Sequence, residues 1–230
     1  MQGVLADVRY AWRALRARPA FAAAAILTLG LGIGMTTAIF SVVNGVVLQP
    51  LPLRDASRLI SICENHPGAT ADWCSIAPPN VEDIAARARS IAAIGMGRSW
   101  EVTLGSPEGA ENIPAGIASA GMFEALGIRA ELGRLIQRSD LVGRPSDVAV
   151  ISHEMWHRRF AGARDIIGRT VLLDGNPVAI VGVLEANARV PLFEELQLWR
   201  PLHIDPASEE HREWRGFVAY GRLRDGVSLR

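Results

Sequence analysis

A charge-free apolar stretch near the start of the chain limits its fold more than any other feature. No residue from Pro19 to Leu53 carries a charge, and the most apolar part runs from Phe21 to Leu48. A helix of about 20 apolar residues crosses the roughly 30 Å hydrocarbon core of a bilayer. A secretory signal peptide has a shorter apolar region that ends at a small-residue cleavage site, and no A-x-A stands at the end of this one. We therefore predict a retained transmembrane helix over 21–48.

The residues before this helix predict its orientation. Apolar residues recur at helical spacing in 1–20, which favours a cytoplasmic amphipathic segment that either rests on the membrane surface or extends the spanning helix. Basic residues in excess before the span place its N-terminus in the cytoplasm and residues 54–230 outside it. That excess consists of four arginines against one acid: Arg9, Arg13, Arg16, Arg18 and Asp7.

A row of small residues marks one face of the predicted span. Gly30, Gly34 and Ala38 follow each other at intervals of four, and Asn44 adds a polar group that lipid does not explain. Small residues at this spacing let two helix backbones approach closely. The row predicts packing against other transmembrane helices, of the same protein or of a second copy. Its alternative is the general frequency of glycine in membrane helices.

Composition excludes several kinds of function. The net charge is zero and the pI is near 7, so nothing favours nucleic acid as a partner. Every basic side chain other than histidine is arginine. A Walker A loop and Schiff-base chemistry both need lysine, so this chain has neither. No cofactor is predicted.

Cys63 and Cys74 form no C-x-x-C pair, and they are either a disulfide in an oxidising compartment or two thiols.

Residues 51–230 alternate short strand patterns with short helix patterns, which predicts one α+β domain with a mixed or antiparallel sheet. The 169–184 hairpin is predicted to turn at Asp174-Gly175-Asn176. Ser119 and Gly127 should cap a helix between them. A further helix starting at Asp225 would imply a domain that continues beyond residue 230. The other predicted strands are 56–65, 100–104, 112–119, 147–152 and 215–223, and the other predicted helices are 78–95 and 153–160.

The segment VISHEMWHRRF contains the pattern H-E-x-x-H, from His153 to His157. On a helix this pattern holds zinc between two imidazoles, with the glutamate as general base. A catalytic site needs a third protein ligand, and the extended form of the motif fails because Phe160 and Ala163 stand where Gly and His are required. Trp156 and Phe160, spaced i and i+4, favour a packing helix instead. His203 and His211 are the remaining candidates for a third ligand.

Several blocks resemble one family, the MacB/FtsX-like ABC-transporter permeases. DVRYAWRALRARPAFAAAAILTLGLGIGMTTAIFSVVNGVVLQPLP is similar to the family's first membrane helix and the segment that precedes it. APPNVEDIAARARSIAAIG resembles the opening of its periplasmic core domain. SAGMFEALGIRAELGR, VAVISHEMWHRRF, IIGRTVLLDGNPVAIVGVL and GRLRDGVSL resemble later blocks in order. The segment LGRLIQRSD is less acidic after Gly133-Arg134 than this resemblance leads us to expect.

This resemblance implies a non-enzymatic permease subunit in the bacterial inner membrane. A separate cytoplasmic ABC ATPase would be its partner, and ATP-driven motion would pass through the membrane to a periplasmic domain for export or envelope processes. Gly133, Arg134, Gly168 and Arg169 would be framework residues, and the His153 block would hold no metal. The two alternatives are a single-pass anchored binding or sensor domain and a membrane-bound zinc hydrolase.

Overall fold

The structure is a computed structural model, and it forms two compact units, Met1–Leu51 and Pro52–Arg230. The structure describes residues 10, 12–13, 16–43, 53–64, 74–106, 109–141, 147–203 and 213–228.

The first unit contains the long apolar helix α1, Pro19–Val43. It starts two residues before the predicted span. The last predicted residues, 44–48 with Asn44 among them, are not among the residues that the structure describes. Within the described ranges it is the one helix long and apolar enough to cross a membrane. The hydroxyls of Thr28 and Thr36 donate to carbonyls four residues earlier, both at 2.8 Å. A helix that crosses lipid must satisfy its polar groups internally, and these two hydroxyls meet that requirement.

The described part of the second unit combines three short α-helices with one mixed sheet, as the sequence predicted. The helices are α2 Pro78–Arg87, α3 Ala120–Leu126 and α4 His153–Phe160. The strands are β1 Leu59–Ile62, β2 Ile91–Ser106, β3 Gly109–Ala118, β4 Ala130–Gly133, β5 Val148–Ile151, β6 Thr170–Leu173, β7 Asn176–Leu184, β8 Leu198–Pro201 and β9 Val218–Leu223.

Six of these strands close into a ring. Strand β2 pairs with β3, β3 with β8, β8 with β5, β5 with β7, β7 with β6, and β6 returns to β2. The β3–β8 and β5–β7 pairs are parallel and the other four are antiparallel. Alternate side chains point inward along each strand. They form a buried apolar interior that includes Val102, Leu104, Ile113, Ala149, Ile151, Leu173, Ile180 and Leu198.

The first half of β2 also belongs to a layer of three strands beside the ring. It pairs with β9, which pairs with β1, both antiparallel. Arg58, just before β1, donates from Nε to the carbonyl of Leu223 at the end of β9, 2.9 Å away, and its Nη1 contacts Asp225. The start of β1 and the end of β9 are therefore tied together side by side.

Helix α3 lies on β2 with glycine against glycine. A Cβ on Gly95 would come within 2.1 Å of the Met122 nitrogen, and one on Gly121 within 2.0 Å of the Ile94 carbonyl oxygen. Backbones can approach this closely only where side chains are absent. The contact buries Met122 and Phe123 completely.

Three local predictions were wrong. The helix predicted over 78–95 ends at Arg87, and the IAAIG that follows begins strand β2. Ser119 starts α3 but does not cap it by its side chain, because its Oγ accepts the Met96 N–H at 2.9 Å. The Asp225-Gly226 turn is present, but the described residues after it, Val227 and Ser228, are not helical. Gly127 ends α3 in the left-handed conformation (φ 73°), as predicted.

Candidate functional site

The HEMWHRRF segment forms helix α4 directly after strand β5. Ser152 caps its start, where the serine Oγ accepts the Met155 N–H at 3.1 Å. Ala161, in the left-handed conformation at φ 51°, ends it after eight residues. The helix is thus as short as the sequence indicated.

One face of α4 packs against the ring interior. Trp156 is only 6% exposed, and its indole N–H donates to the Ala163 carbonyl at 2.9 Å. Met155 is fully buried beside it, and Phe160 packs against the same cluster. The guanidinium of Arg169 lies 5.3 Å from the Phe160 ring centre. This face therefore anchors the helix to the domain.

The two histidines of the pattern lie one turn apart, with ring centres separated by 4.4 Å. His153 Nε2 is 3.4 Å from Glu131 Oε2, while the exposed Glu154 faces Arg158 at 3.4 Å. His203 is exposed, and His211 lies outside the description. Among the described residues no three His, Cys, Asp or Glu side chains are grouped as a metal site would need. The assignment of this helix as a packing element stays a prediction.

A cavity of about 550 Å³ opens beside the start of α4. Of the two histidines, His153 lines it. Four glutamates line it as well, one from α4 and three from the segment that follows β7: Glu154, Glu185, Glu194 and Glu195. Arg189 lines it too and pairs with Glu194 at 3.4 Å, so carboxylates are in excess.

The two Gly-Arg pairs meet strand β7 at neighbouring positions. The Arg134 N–H donates to the Val181 carbonyl at 2.9 Å, and the Gly168 N–H donates to the Ile180 carbonyl at 2.8 Å. Gly133 (φ 67°) and Gly168 (φ 86°) are both left-handed, a conformation that glycine adopts without strain. A Cβ on Gly133 would also lie 2.2 Å from the Val181 oxygen. These contacts hold both pairs against β7, and the framework role that the resemblance implies stays a prediction.

Arg134 makes a two-pronged ion pair that the sequence did not single out. Its Nη1 and Nη2 lie 2.6 and 2.9 Å from the two carboxylate oxygens of Asp140, which also accepts the Gln137 N–H. Burial of Asp140 opposes its charge, but the bonds from Arg134 and Gln137 outweigh it, so the pKa of Asp140 lies below its ordinary value. The same pair raises the pKa of Arg134. The only cue in the sequence was an acid six residues after the arginine.

We expect Asp140→Asn to cost about 2 kcal/mol near neutral pH, less than for a fully buried pair because Arg134 is about one-third exposed. Because the folded-state pKa of Asp140 is depressed, its contribution is complete above the ordinary aspartate value of about 4 and is lost as pH falls through the folded value. Urea unfolding at neutral and acid pH measures this. Asp147→Asn, at an exposed ion pair with Arg200, is the matched control. Equal pH dependence in all three proteins would contradict the prediction.

Cys63 and Cys74 are joined as a disulfide, with their Cα atoms 4.9 Å apart. The neighbouring Glu64 ties this region to α2. Its carboxylate accepts the Ala77 N–H at 3.0 Å and contacts Asn80 and Arg215. Burial opposes the charge of Glu64, yet these bonds keep its pKa below the ordinary value.

We expect thiol labelling of the unreduced, denatured protein to find neither Cys63 nor Cys74 reactive, because a domain outside the cytoplasm, as the arginine excess predicts, would meet an oxidising environment. Labelling after reduction should recover both thiols. Full labelling without reductant would show that the bond does not form.

The small-residue row lies on the surface of α1. A Cβ added to Gly30 or Gly34 would meet no atom within 4 Å, and Ala38 is exposed. The face therefore has room for a neighbouring helix, and its packing role stays a prediction.

An apolar helix of spanning length followed by a mixed α+β domain defines a class, the membrane-anchored domains. The sequence model of the MacB-like periplasmic core domain matches residues 22–230, nearly the whole chain. The chain therefore belongs to the family of the MacB-like periplasmic core domain, a domain of ABC transporter permeases. No curated protein sequence matches it.

Solved structures share the fold. The periplasmic region of MacB from Actinobacillus actinomycetemcomitans aligns with a TM-score of 0.55 at 15% identity, over 75% of this chain and 77% of that one. The extracellular domain of the noncanonic ABC-type transporter YknZ from Gram-positive bacteria aligns with a TM-score of 0.50 at 16% identity, over 73% and 83% of the two chains.

Proposed function

We propose that this chain is a permease subunit of a MacB/FtsX-like ABC-type transporter. Its organisation would be a cytoplasmic segment over 1–20, a membrane span over 21–48 and a periplasmic domain over 51–230. A separate cytoplasmic ATPase would hydrolyse ATP, and the span would pass the resulting motion to the periplasmic domain for export or an envelope process. The chain itself would catalyse no reaction and hold no cofactor.

The single observation that carries this proposal is the extent of the family match. It begins at residue 22, inside α1, and runs through the whole domain. Helix and domain thus belong to one family pattern, which supports a helix kept in the working protein. The row of Gly30, Gly34 and Ala38 supports contact with further transmembrane helices.

Topology is the first expected outcome. Because arginines dominate before α1, a phosphatase reporter fused after Arg230 should be active, since that enzyme needs export to fold. The matched control replaces Arg13, Arg16 and Arg18 with glutamate, which should lower the reporter activity. Activity of a cytoplasmic reporter at the same position would contradict a periplasmic domain.

Partner capture tests the function itself. The tagged full chain, solubilised from native membranes, should co-purify with an ABC ATPase and with membrane-spanning partners. The variant Gly30→Leu/Gly34→Leu should lose these partners, because bulky side chains hold helix backbones apart. Leucine at the off-row position Gly32 is the matched control. Recovery of the chain as a lone monomer would favour an anchored binding or sensor domain.

A further inference from the structure

One end of the six-stranded ring is an apolar mouth with a basic rim. Strand register places Trp100, Ala115 and Leu198 in one inward-facing layer above the buried Val102 and Ile113. The next layer outward holds Arg98, Ile117 and Arg200. Two guanidinium groups thus flank an isoleucine at the rim, on strands that neighbour β3 on either side.

A cavity of about 390 Å³ occupies this mouth. Its walls include Trp100, Val102, Ile117, Pro201 and Trp214. Trp100 is 51% exposed, although tryptophan is usually largely buried. Small-molecule sites fall between about 300 and 1,000 Å³, are mostly apolar, and often lie in the mouths of β-barrels. The mouth therefore has the size, the position and the lining of a ligand site.

The charges at the rim select the kind of ligand. The guanidinium carbon of Arg98 lies 5.8 Å from the Trp100 ring centre and 5.4 Å from that of Trp214, so it sits beside two indoles that line the cavity. Arg200 lines the cavity, and its contact with the exposed Asp147 is long, 3.8 Å. Asp174 lines the cavity as well, and its carboxylate accepts the Thr103 N–H at 2.8 Å. Arginine pairs readily with carboxylate groups.

We propose that the ring mouth binds an anionic amphiphile, a small molecule with an apolar body and one carboxylate. Its body would lie against Trp100, Ile117 and Pro201, and its carboxylate would meet Arg98 and Arg200. This binding does not depend on the transport role proposed above.

Calorimetry on the full chain in lipid nanodiscs tests this, with empty nanodiscs subtracted. Three probes share one body and differ in charge: naphthylacetate, naphthylacetamide and naphthylmethylamine. We expect saturable binding of the acid, about tenfold weaker binding of the amide, and still weaker binding of the amine.

Variants separate the two parts of the site. Trp100→Ala should weaken the binding of the acid and of the amide alike, by about tenfold, because it removes an apolar wall of the cavity. The double variant Arg98→Gln/Arg200→Gln should lower the affinity for the acid to that for the amide and leave the affinity for the amide unchanged. Leu192→Ala, an exposed apolar residue outside the mouth, should change nothing. Trp100→Phe repeats the test if the alanine variant unfolds.

Three results would overturn the proposal. The first is the lack of saturable binding by the acid. The second is equal affinity for all three probes, which would mean that the arginines select no charge. The third is unchanged affinity in both Trp100 variants, which would place the bound probe elsewhere.

Discussion

Replacing Trp156 with alanine should lower the free energy of unfolding of the domain by about 3–5 kcal/mol, the usual cost of removing a large buried aromatic side chain. The indole fills the ring interior beneath α4, and its N–H satisfies the Ala163 carbonyl. The change would leave both a cavity and an unpaired carbonyl. Urea unfolding of the full chain, followed by near-ultraviolet circular dichroism, measures the loss.

The matched control is His157→Ala in the same helix. His157 is exposed, so we expect a change within about 0.5 kcal/mol. A zinc site predicts the opposite pattern, because either histidine would then be a ligand whose loss matters more than that of the tryptophan. Metal analysis of the purified chain decides the point independently. Stoichiometric zinc that disappears in His153→Ala would make the chain a metalloprotein.

Gly95→Ala should have a comparable effect, about 3 kcal/mol or more, although it adds only one methyl group. The new Cβ would lie 2.1 to 2.5 Å from backbone atoms of Gly121 and Met122. Backbone cannot rotate away as a side chain can, so α3 would have to move off the sheet. Urea unfolding of the variant measures the loss, and loss of the folded domain counts as agreement.

Gly105→Ala in the same strand is the control for this change. Its Cβ would meet the Leu172 Cβ at 3.1 Å and no atom closer, on the half-exposed strand β6. We expect a cost of about 1 kcal/mol or less, because a shift of a few tenths of an ångström relieves this contact. Equal stability of the two variants would contradict the close approach of the α3 and β2 backbones.

Local patterns predicted most of the elements because their causes are local. The hairpin turn at Asp174-Gly175 and the end of α3 at Gly127 follow from the conformations that these residues prefer. The long apolar helix followed from the missing charges. The boundary after Arg87 did not, because IAAIG has no helix breaker before it. It becomes a strand through pairing with β9, more than 120 residues away in sequence.

The ring was beyond sequence reasoning for the same reason. Its closure depends on the β6–β2 pairing of Leu172 and Leu173 with Gly105 and Leu104, which nothing in either segment signals. Ser119 illustrates a long-range contact that overrides a local preference. Serine is a good capping residue, but its hydroxyl accepts the Met96 N–H of the neighbouring strand instead. Of the candidate residues, Trp156 and Phe160 were identified by spacing alone. Arg98 and Arg200 were missed because only strand register brings them to one rim.

The tie between Arg58 and the end of β9 has a mechanical consequence. The start of β1 lies beside the end of β9, and the two strands run antiparallel, with β2 as the next neighbour of β9. A pull that separates these two strand ends would break the β1–β9 hydrogen bonds one after another, which needs little force. A pull on both strand ends in the same direction would load the two strands together and pass the strain into β2. The first half of this 16-residue strand pairs with β9 and its second half belongs to the closed ring, so β2 would carry the strain from the β1–β9 pair to the ring.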